Sequence, residues 1–143
     1  TSNRYNDLMN QKSIIHSENY SKIRVNIYCV ERDIYEVFDI LFDNAVRYSF
    51  EKGRVSLDIS EETSEIKITL TNNSPLLTEN MLNTIFDPFK RFAPEKIPGN
   101  GLGLAIAKRI VQNHGGSIHA GYMENVFSIE VIFRKVFLNN ILL

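Results

Sequence analysis

The chain has 143 residues, 16 basic and 17 acidic side chains, and a formal net charge of −1. This length predicts one domain that buries a core without disulfides or a metal, and the charge gives no indication of nucleic-acid or membrane binding. No stretch is long and apolar enough to cross a membrane. The single cysteine, Cys29, excludes an internal disulfide and suits a reducing compartment; we interpret it as a small core residue.

The first third of the chain predicts one strand and one long helix. Residues 1–21 are polar and rich in Asn and Ser, and we expect a linker or the end of a preceding helical module. Residues 23–30 alternate between apolar and polar side chains, which predicts a strand. A helix is expected from an N-cap at Asp33, with Glu36 completing a capping box, to about Ser49.

The middle of the chain predicts a hairpin and a short helix. Residues 54–60 and 65–71 alternate with period two across a short polar connection, which favours an antiparallel pair. Residues 72–75, with two Asn, a Ser and a Pro, are typical of a turn. Thr78 is expected to cap a short helix that continues through Ile85.

The last third predicts a loop, a helix and a second hairpin. Residues 90–98 are polar with two prolines and indicate a mobile loop, and residues 117–122 and 127–133 read as a closing hairpin. The element order predicts an α+β two-layer sandwich, a mixed sheet covered on one face by about three helices. We expect the domain to span residues 22–135, followed by an apolar tail at 136–143.

Three glycines on alternate positions, Gly99, Gly101 and Gly103, run directly into a helical pattern that ends at Gly115. Glycine lets the backbone turn sharply and approach a ligand closely, and the amides at a helix N-terminus favour an anion such as phosphate. Alone, this pattern suits a simple turn as well as a phosphate site. Its spacing matches neither the Rossmann nor the Walker motif.

Three segments together resemble one family, the sensor histidine kinases. Residues 44–49, Asn-Ala-Val-Arg-Tyr-Ser, resemble the N box; Phe86-Asp87-Pro88-Phe89 resembles the F box; and residues 99–104 resemble the second glycine box. The resemblance covers about residues 23–133. It implies the catalytic, ATP-binding domain of such a kinase, with the Bergerat fold that the gyrase and mismatch-repair ATPases share.

The resemblance also implies a reaction and its partners. The domain would bind ATP with Mg²⁺ and donate the γ-phosphate to a histidine on a separate dimerisation and phosphoacceptor domain, with a response regulator as an indirect partner. It implies no catalytic residue within this segment, and a cytoplasmic location, including the cytoplasmic part of a membrane-anchored sensor. His16 lacks the neighbours of a phosphorylated histidine, and we interpret it as a linker residue.

The family pattern assigns roles to individual residues. Asn44 matches the Mg²⁺ ligand, Arg47 a phosphate contact and Tyr48 an adenine contact. A solvated asparagine remains the alternative for Asn44, and a core aromatic remains the alternative for Tyr48. Arg91 matches a lid arginine, or an exposed charge, and Lys96 is interpreted as solvated. The implied nucleotide-binding set is Asn44, Arg47, Tyr48, Asn72, Ser74, Arg91, Gly99, Gly101, Leu102, Gly103 and Leu104. Phe86 and Phe89 are expected to be hydrophobic anchors.

Four positions depart from the family pattern. Asn72 stands where the adenine-reading aspartate is expected, Ser74 and Leu76 stand at glycine positions, and Ile40 replaces a second N-box asparagine. Isoleucine can neither ligate a metal nor activate water, which argues against a gyrase-like ATPase. Two alternatives therefore stay open: a degenerate pseudokinase that acts as a regulatory protein-binding domain, and a serine-directed relative such as an anti-sigma kinase.

Overall fold

The structure, a computed structural model, describes residues 2–20, 27–91 and 99–136, with side chains described from Tyr5 onward. Four helices and five strands occur in these ranges. In chain order they are α1 (Ser2–Gln11), β1 (Ile15–Tyr20), α2 (Glu31–Tyr48), β2 (Arg54–Glu61), β3 (Glu65–Asn73), α3 (Glu79–Asn83), α4 (Gly103–Asn113), β4 (Ser117–Met123) and β5 (Val126–Arg134).

The five strands form one mixed sheet in the order β1-β2-β3-β5-β4. β1 runs parallel to β2, and the remaining neighbours are antiparallel. Every second residue of β3 and of β5 is buried, because successive side chains of a strand point to opposite faces. The predicted hairpins β2–β3 and β4–β5 are therefore confirmed, with one face of each strand pair turned to the core.

The helices cover that buried face of the sheet. α2 packs against α4 and β3, α4 packs against β4, and α1 packs against α2. α2 buries Val37, Leu41 and Ala45 at four-residue spacing, and α4 buries Ala107 and Val111, as expected for helices with one apolar stripe. The predicted α+β two-layer architecture is confirmed.

The N-terminal third differs most from the prediction. Residues 2–20, expected to be a linker or the end of a preceding helical module, form the helix α1 and the strand β1, and the strand was not predicted. Residues 27–30, expected to end a strand, have no regular structure, and residues 23–26 lie outside the described ranges. β1 is a polar edge strand paired only with β2. Its sequence lacks apolar alternation because none of its residues is fully buried.

Individual side chains in this part of the chain also correct the prediction. α2 begins at Glu31 after an N-cap at Val30 without a side-chain hydrogen bond, so Asp33 lies in the first turn and is not the cap. Cys29 is exposed and does not belong to the core. His16 is a residue of β1 whose ring packs edge-on against Phe42 at 5.5 Å between centroids, and it is not part of a linker.

The segment between the hairpins is predicted in part. The Thr78 hydroxyl accepts a hydrogen bond from the Met81 amide at 3.3 Å, so the predicted cap is confirmed, although α3 ends at Asn83 and not at Ile85. The first two residues of the expected turn at 72–75 instead belong to β3. Of the expected loop at 90–98 and the expected tail at 136–143, residues 92–98 and 137–143 lie outside the described ranges.

Candidate functional site

A cavity of about 370 Å³ opens between the second half of α2, the end of β3 and the glycine-rich segment before α4. Most of the residues that the family pattern singled out meet there, from four separate stretches of sequence. Those that line the cavity are Asn44, Arg47, Tyr48, Ser74, Arg91, Gly99, Gly101, Gly103 and Leu104.

Two predicted residues do not line the cavity. Asn72 is 3% exposed within β3, where its Nδ2 donates weakly to the Asn73 carbonyl at 3.4 Å. Leu102 is the N-cap residue of α4, and its amide donates to Oδ1 of Asn100 at 3.1 Å. The nucleotide contacts expected of these residues, and of those that do line the cavity, remain predictions.

α2 contributes the polar wall of the cavity. Ile40, Asn44 and Tyr48 recur every four residues and line it together, as residues on one face of a helix do. Arg47 lies beside them, with its Nε 2.6 Å from Oδ2 of Asp43. The hydrogen bond to Asp43 raises the pKa of the Arg47 guanidinium, which therefore keeps its positive charge at the cavity wall.

The glycine-rich segment approaches α2 and the F-box residues closely. A Cβ on Gly99 would lie 3.8 Å from the Tyr48 hydroxyl, and one on Gly103 would lie 3.3 Å from Cγ2 of Ile40. Gly101 has φ +72°, in the left-handed region that favours glycine. Its carbonyl accepts from the Phe89 amide at 2.9 Å, so this hydrogen bond holds the segment against the F box.

The two F-box phenylalanines have different environments. Phe86 is partly buried and packs against the core, with Nζ of Lys108 5.6 Å from its ring centroid, so its predicted role as an anchor is confirmed. Phe89 is 74% exposed, and the same prediction is wrong for it. Phe89 contributes through its backbone, which has φ +63° and bonds to Gly101. Lys96 lies outside the described residues.

The end of β3 forms the opposite wall. Ser74 is 3% exposed, and its amide donates to the Asn125 carbonyl at 3.0 Å. Leu76 lines the cavity but is 73% exposed, so its side chain lies at the mouth and not at the base. Ser74 and Leu76 stand where the family pattern has glycine, and their side chains do not fill the cavity.

Sequence reasoning missed several residues that line the cavity, among them Lys12, which reaches it from the turn after α1. Ser49, the last residue of the N-box segment, also lines the cavity, and its buried hydroxyl has no hydrogen-bond partner among the described residues. Lys12 carries no sequence signal. Lys12 lies in a polar stretch far along the chain from α2, and only the packing of α1 on α2 brings it to the site.

Asn44 offers the cavity an oxygen ligand that suits a hard cation. The neutral amide oxygen of Asn44 is the type of ligand that Mg²⁺ accepts alongside phosphates and water, whereas Ile40, one turn earlier, offers no ligand atom. Across the described residues, no group of three or more His, Cys, Asp and Glu side chains could hold a metal ion. In the same ranges, no helix has the length and apolar character needed to span a membrane.

Comparison with known proteins matches this chain to one family model and to sensor kinases. Residues 29–134 match the family described as histidine kinase-, DNA gyrase B- and HSP90-like ATPase. The sensor histidine kinase WalK of Bacillus subtilis is 36% identical over 108 residues, covering 66% of this chain and 18% of that protein. The sensory kinase SasA of Crocosphaera subtropica is 30% identical over 116 residues, covering 80% of this chain and 30% of that protein.

Solved structures share the fold. The catalytic domain of histidine kinase ThkA superposes with a TM-score of 0.81 at 21% identity, covering 92% of this chain and 86% of that one. The mycobacterial sensor histidine kinase MprB superposes with a TM-score of 0.80 at 20% identity, covering 94% and 92%. With most of the chain matched by the family model, this protein belongs to the histidine kinase-, DNA gyrase B- and HSP90-like ATPase family.

Proposed function

We propose that this chain is the catalytic domain of a two-component sensor histidine kinase, which binds Mg-ATP and donates the γ-phosphate to a histidine on a separate dimerisation domain. The observation that carries the proposal is the convergence of Asn44, Arg47 and the glycine-rich segment on one cavity. The chain spans only 18% and 30% of the two relatives described above. A complete kinase would therefore supply the phosphoacceptor histidine and any catalytic base from elsewhere.

The partners are proposed on the same basis. One solved structure contains ThkA in complex with the response regulator protein TrrA, and this chain matches 37% of that ThkA chain with a TM-score of 0.78. A response regulator is accordingly proposed as an indirect partner, and the cytoplasm as the location, with or without a membrane anchor elsewhere in the full protein. The proposed domain includes α1 and β1, because β1 pairs with β2 along its whole length.

The geometry supports distinct roles for the side chains. Arg47 offers a lasting positive charge for the phosphates, and Arg91 offers a second one at the cavity edge. The amides at the start of α4 have no acceptor within the helix and favour anions. Tyr48 and Ser74 line the part of the cavity proposed for adenine. The support from the cavity does not extend to Asn72 and Leu102, which do not line it.

Asn44 is the proposed protein ligand of Mg²⁺. When bound, the ion neutralises charge on the phosphates. Asn44 holds and orients the metal side of the nucleotide, and Ile40 excludes water from the space between α2 and Gly103. Catalysis by these residues would consist of positioning and charge neutralisation, as in other phosphoryl transfers.

One observation favours a second candidate, a regulatory ATP-binding module without kinase activity. Ile40 occupies the wall where the family pattern has a second asparagine, and it packs against the position of Gly103. This arrangement leaves Asn44 without the second N-box ligand for the metal. In the full protein, transfer of labelled γ-phosphate to histidine would support the kinase, and nucleotide binding without transfer would support the regulatory module.

The test of the site is calorimetric titration of a non-hydrolysable ATP analogue into wild type and Asn44→Asp, with and without Mg²⁺. The added carboxylate would face the phosphates beside Asp43, and we expect binding to be lost. Asn80→Asp is the matched control, since Asn80 is exposed on α3 and does not line the cavity. Equal binding by wild type and Asn44→Asp would contradict the proposed site.

A further inference from the structure

Lys12 lies in the turn between α1 and β1, outside the residues that match the family. Its amide donates to the Leu8 carbonyl at 3.1 Å, and its carbonyl accepts from the Lys52 amide at 2.7 Å. The next residue, Ser13, has φ +53° and turns the chain into β1. The backbone of Lys12 is therefore held on both sides, and its side chain leaves the turn from a defined position.

The ammonium of Lys12 caps the C-terminus of α2. Nζ donates to the carbonyl oxygens of Val46, Arg47 and Ser49 at 3.1, 2.5 and 3.2 Å. The last carbonyls of a helix have no partner within the helix and carry the negative end of its dipole. An ammonium has three N–H donors, and all three are used by this one helix end.

The position of this charge is costly to maintain. Burial lowers the pKa of Lys12, the Glu51 carboxylate raises it, and the Arg47 guanidinium lowers it. Burial acts by removing water from the charged form, and the three carbonyls replace part of that hydration.

The capped turn of α2 is also a wall of the cavity. Lys12, Arg47, Tyr48 and Ser49 all line it. We propose that Lys12 is a positioning residue of the nucleotide site, which holds the last turn of α2 so that Arg47 and Tyr48 face the ligand. The inference rests on the proposed nucleotide-binding function. Because its three donors are already used, Lys12 acts through the backbone of α2 and not through a phosphate contact.

A second contact between α1 and α2 makes the role of Lys12 testable. The Tyr5 hydroxyl donates to the Asp39 carbonyl at 3.1 Å, and the Tyr5 ring stacks on Phe42 with centroids 6.2 Å apart. Tyr5 is 7% exposed within the core. α1 is thus docked on α2 independently of the ammonium, and we expect a Lys12 variant to keep the fold.

The experiment compares Lys12→Met with wild type in the 143-residue chain. Methionine keeps the apolar stem and removes the charge and the donors. Calorimetry with Mg²⁺ measures binding of a non-hydrolysable ATP analogue and of adenosine, at a temperature where circular dichroism shows both proteins folded. We expect both affinities to fall about tenfold, which corresponds to about 1.4 kcal/mol. Lys52→Met, which removes an exposed lysine three residues after Ser49 but outside the cavity, should bind as wild type does.

Each other outcome has a distinct meaning. Unchanged affinity in folded Lys12→Met would overturn the inference, because a purely structural cap alters unfolding and not binding by the folded molecules. Loss of affinity for the ATP analogue alone would also overturn it, since that pattern indicates a direct phosphate contact. If Lys12→Met does not fold, Lys12→Gln, with two amide donors, is judged by the same two affinities. Failure of wild type to bind either ligand would refute the proposed function itself.

Discussion

Gly101→Ala tests the glycine-rich segment more sharply than any other single substitution in the described residues. A Cβ at this position would lie 2.7 Å from the Lys90 carbonyl oxygen, and 2.8 and 3.0 Å from the carbonyl carbon and Cα of Phe89. All three atoms belong to backbone, which cannot rotate away as a side chain could. The segment must therefore separate from the F box.

The substitution can incur two physical costs. Holding alanine at φ +72° costs about 1–2 kcal/mol in the left-handed region. Separation also breaks the hydrogen bond from the Phe89 amide to the Gly101 carbonyl, which is worth about 1 kcal/mol. The two costs do not add, because a segment that has moved away no longer holds alanine at positive φ. Binding must restore the strained conformation, at about 1–2 kcal/mol, so the affinity for an ATP analogue falls roughly 5- to 30-fold.

Gly115→Ala is a control matched in backbone conformation. Gly115 has φ +69°, but a Cβ there has nothing within 4 Å, and the residue does not line the cavity. This variant should lose about 1–2 kcal/mol of stability and keep its affinity for nucleotide. Titration calorimetry with an ATP analogue and thermal unfolding by circular dichroism measure the two quantities. Wild-type affinity in Gly101→Ala, or an equal loss in Gly115→Ala, would refute the reasoning.

Three further predictions concern the charge at the cavity, the metal and the core. Arg47→Met should lower the affinity for the ATP analogue about tenfold or more, the size of one charge-assisted hydrogen bond, and leave the affinity for adenosine unchanged. Arg54→Met, at an exposed position, is the control in the same titrations. Chelation of Mg²⁺ by EDTA should reduce affinity for the ATP analogue and not for adenosine; a parallel drop for both would argue against a metal at Asn44. Gly116→Ala should lower the free energy of unfolding by about 1–3 kcal/mol, because its Cβ would lie 2.6 Å from the Ile132 carbonyl oxygen. Denaturant unfolding measures this quantity, and wild-type stability would contradict the prediction by showing that the backbone before β4 moves without cost.

Periodicity predicted the parts of the fold that bury apolar side chains. β3 and β5 alternate buried and partly buried residues along their length, and α2 repeats its buried residues every four positions. In both cases the local pattern and the tertiary packing agree. The site residues on α2 came from the resemblance to the N box, and helical spacing adds only that Asn44 and Tyr48 share one face.

Other features depend on contacts that no local pattern encodes. β1 is polar, and its place in the sheet comes from the parallel pairing of Ile15–Tyr20 with β2. Asp33 has the residue type of a cap, yet the helix starts two residues earlier at Glu31. Phe89 looks like an anchor in sequence, but its positive φ turns the ring to solvent. Pairing, capping and side-chain direction in these cases are set by the assembled fold.

One helix joins the core to the cavity, and this has a mechanical consequence. Ala45 and Val46 of α2 are 4% and 0% exposed, while their neighbours Asn44 and Arg47 line the cavity. With a rotation of about 100° per residue, the core-facing residues and the cavity-facing residues lie on adjacent sides of the same helix. A rotation of the whole of α2 would pull Val46 out of a close-packed core, which resists such motion. Arg47 therefore moves most readily if the last turn of α2 frays, and Lys12 opposes that fraying by donating to the carbonyls of Val46, Arg47 and Ser49.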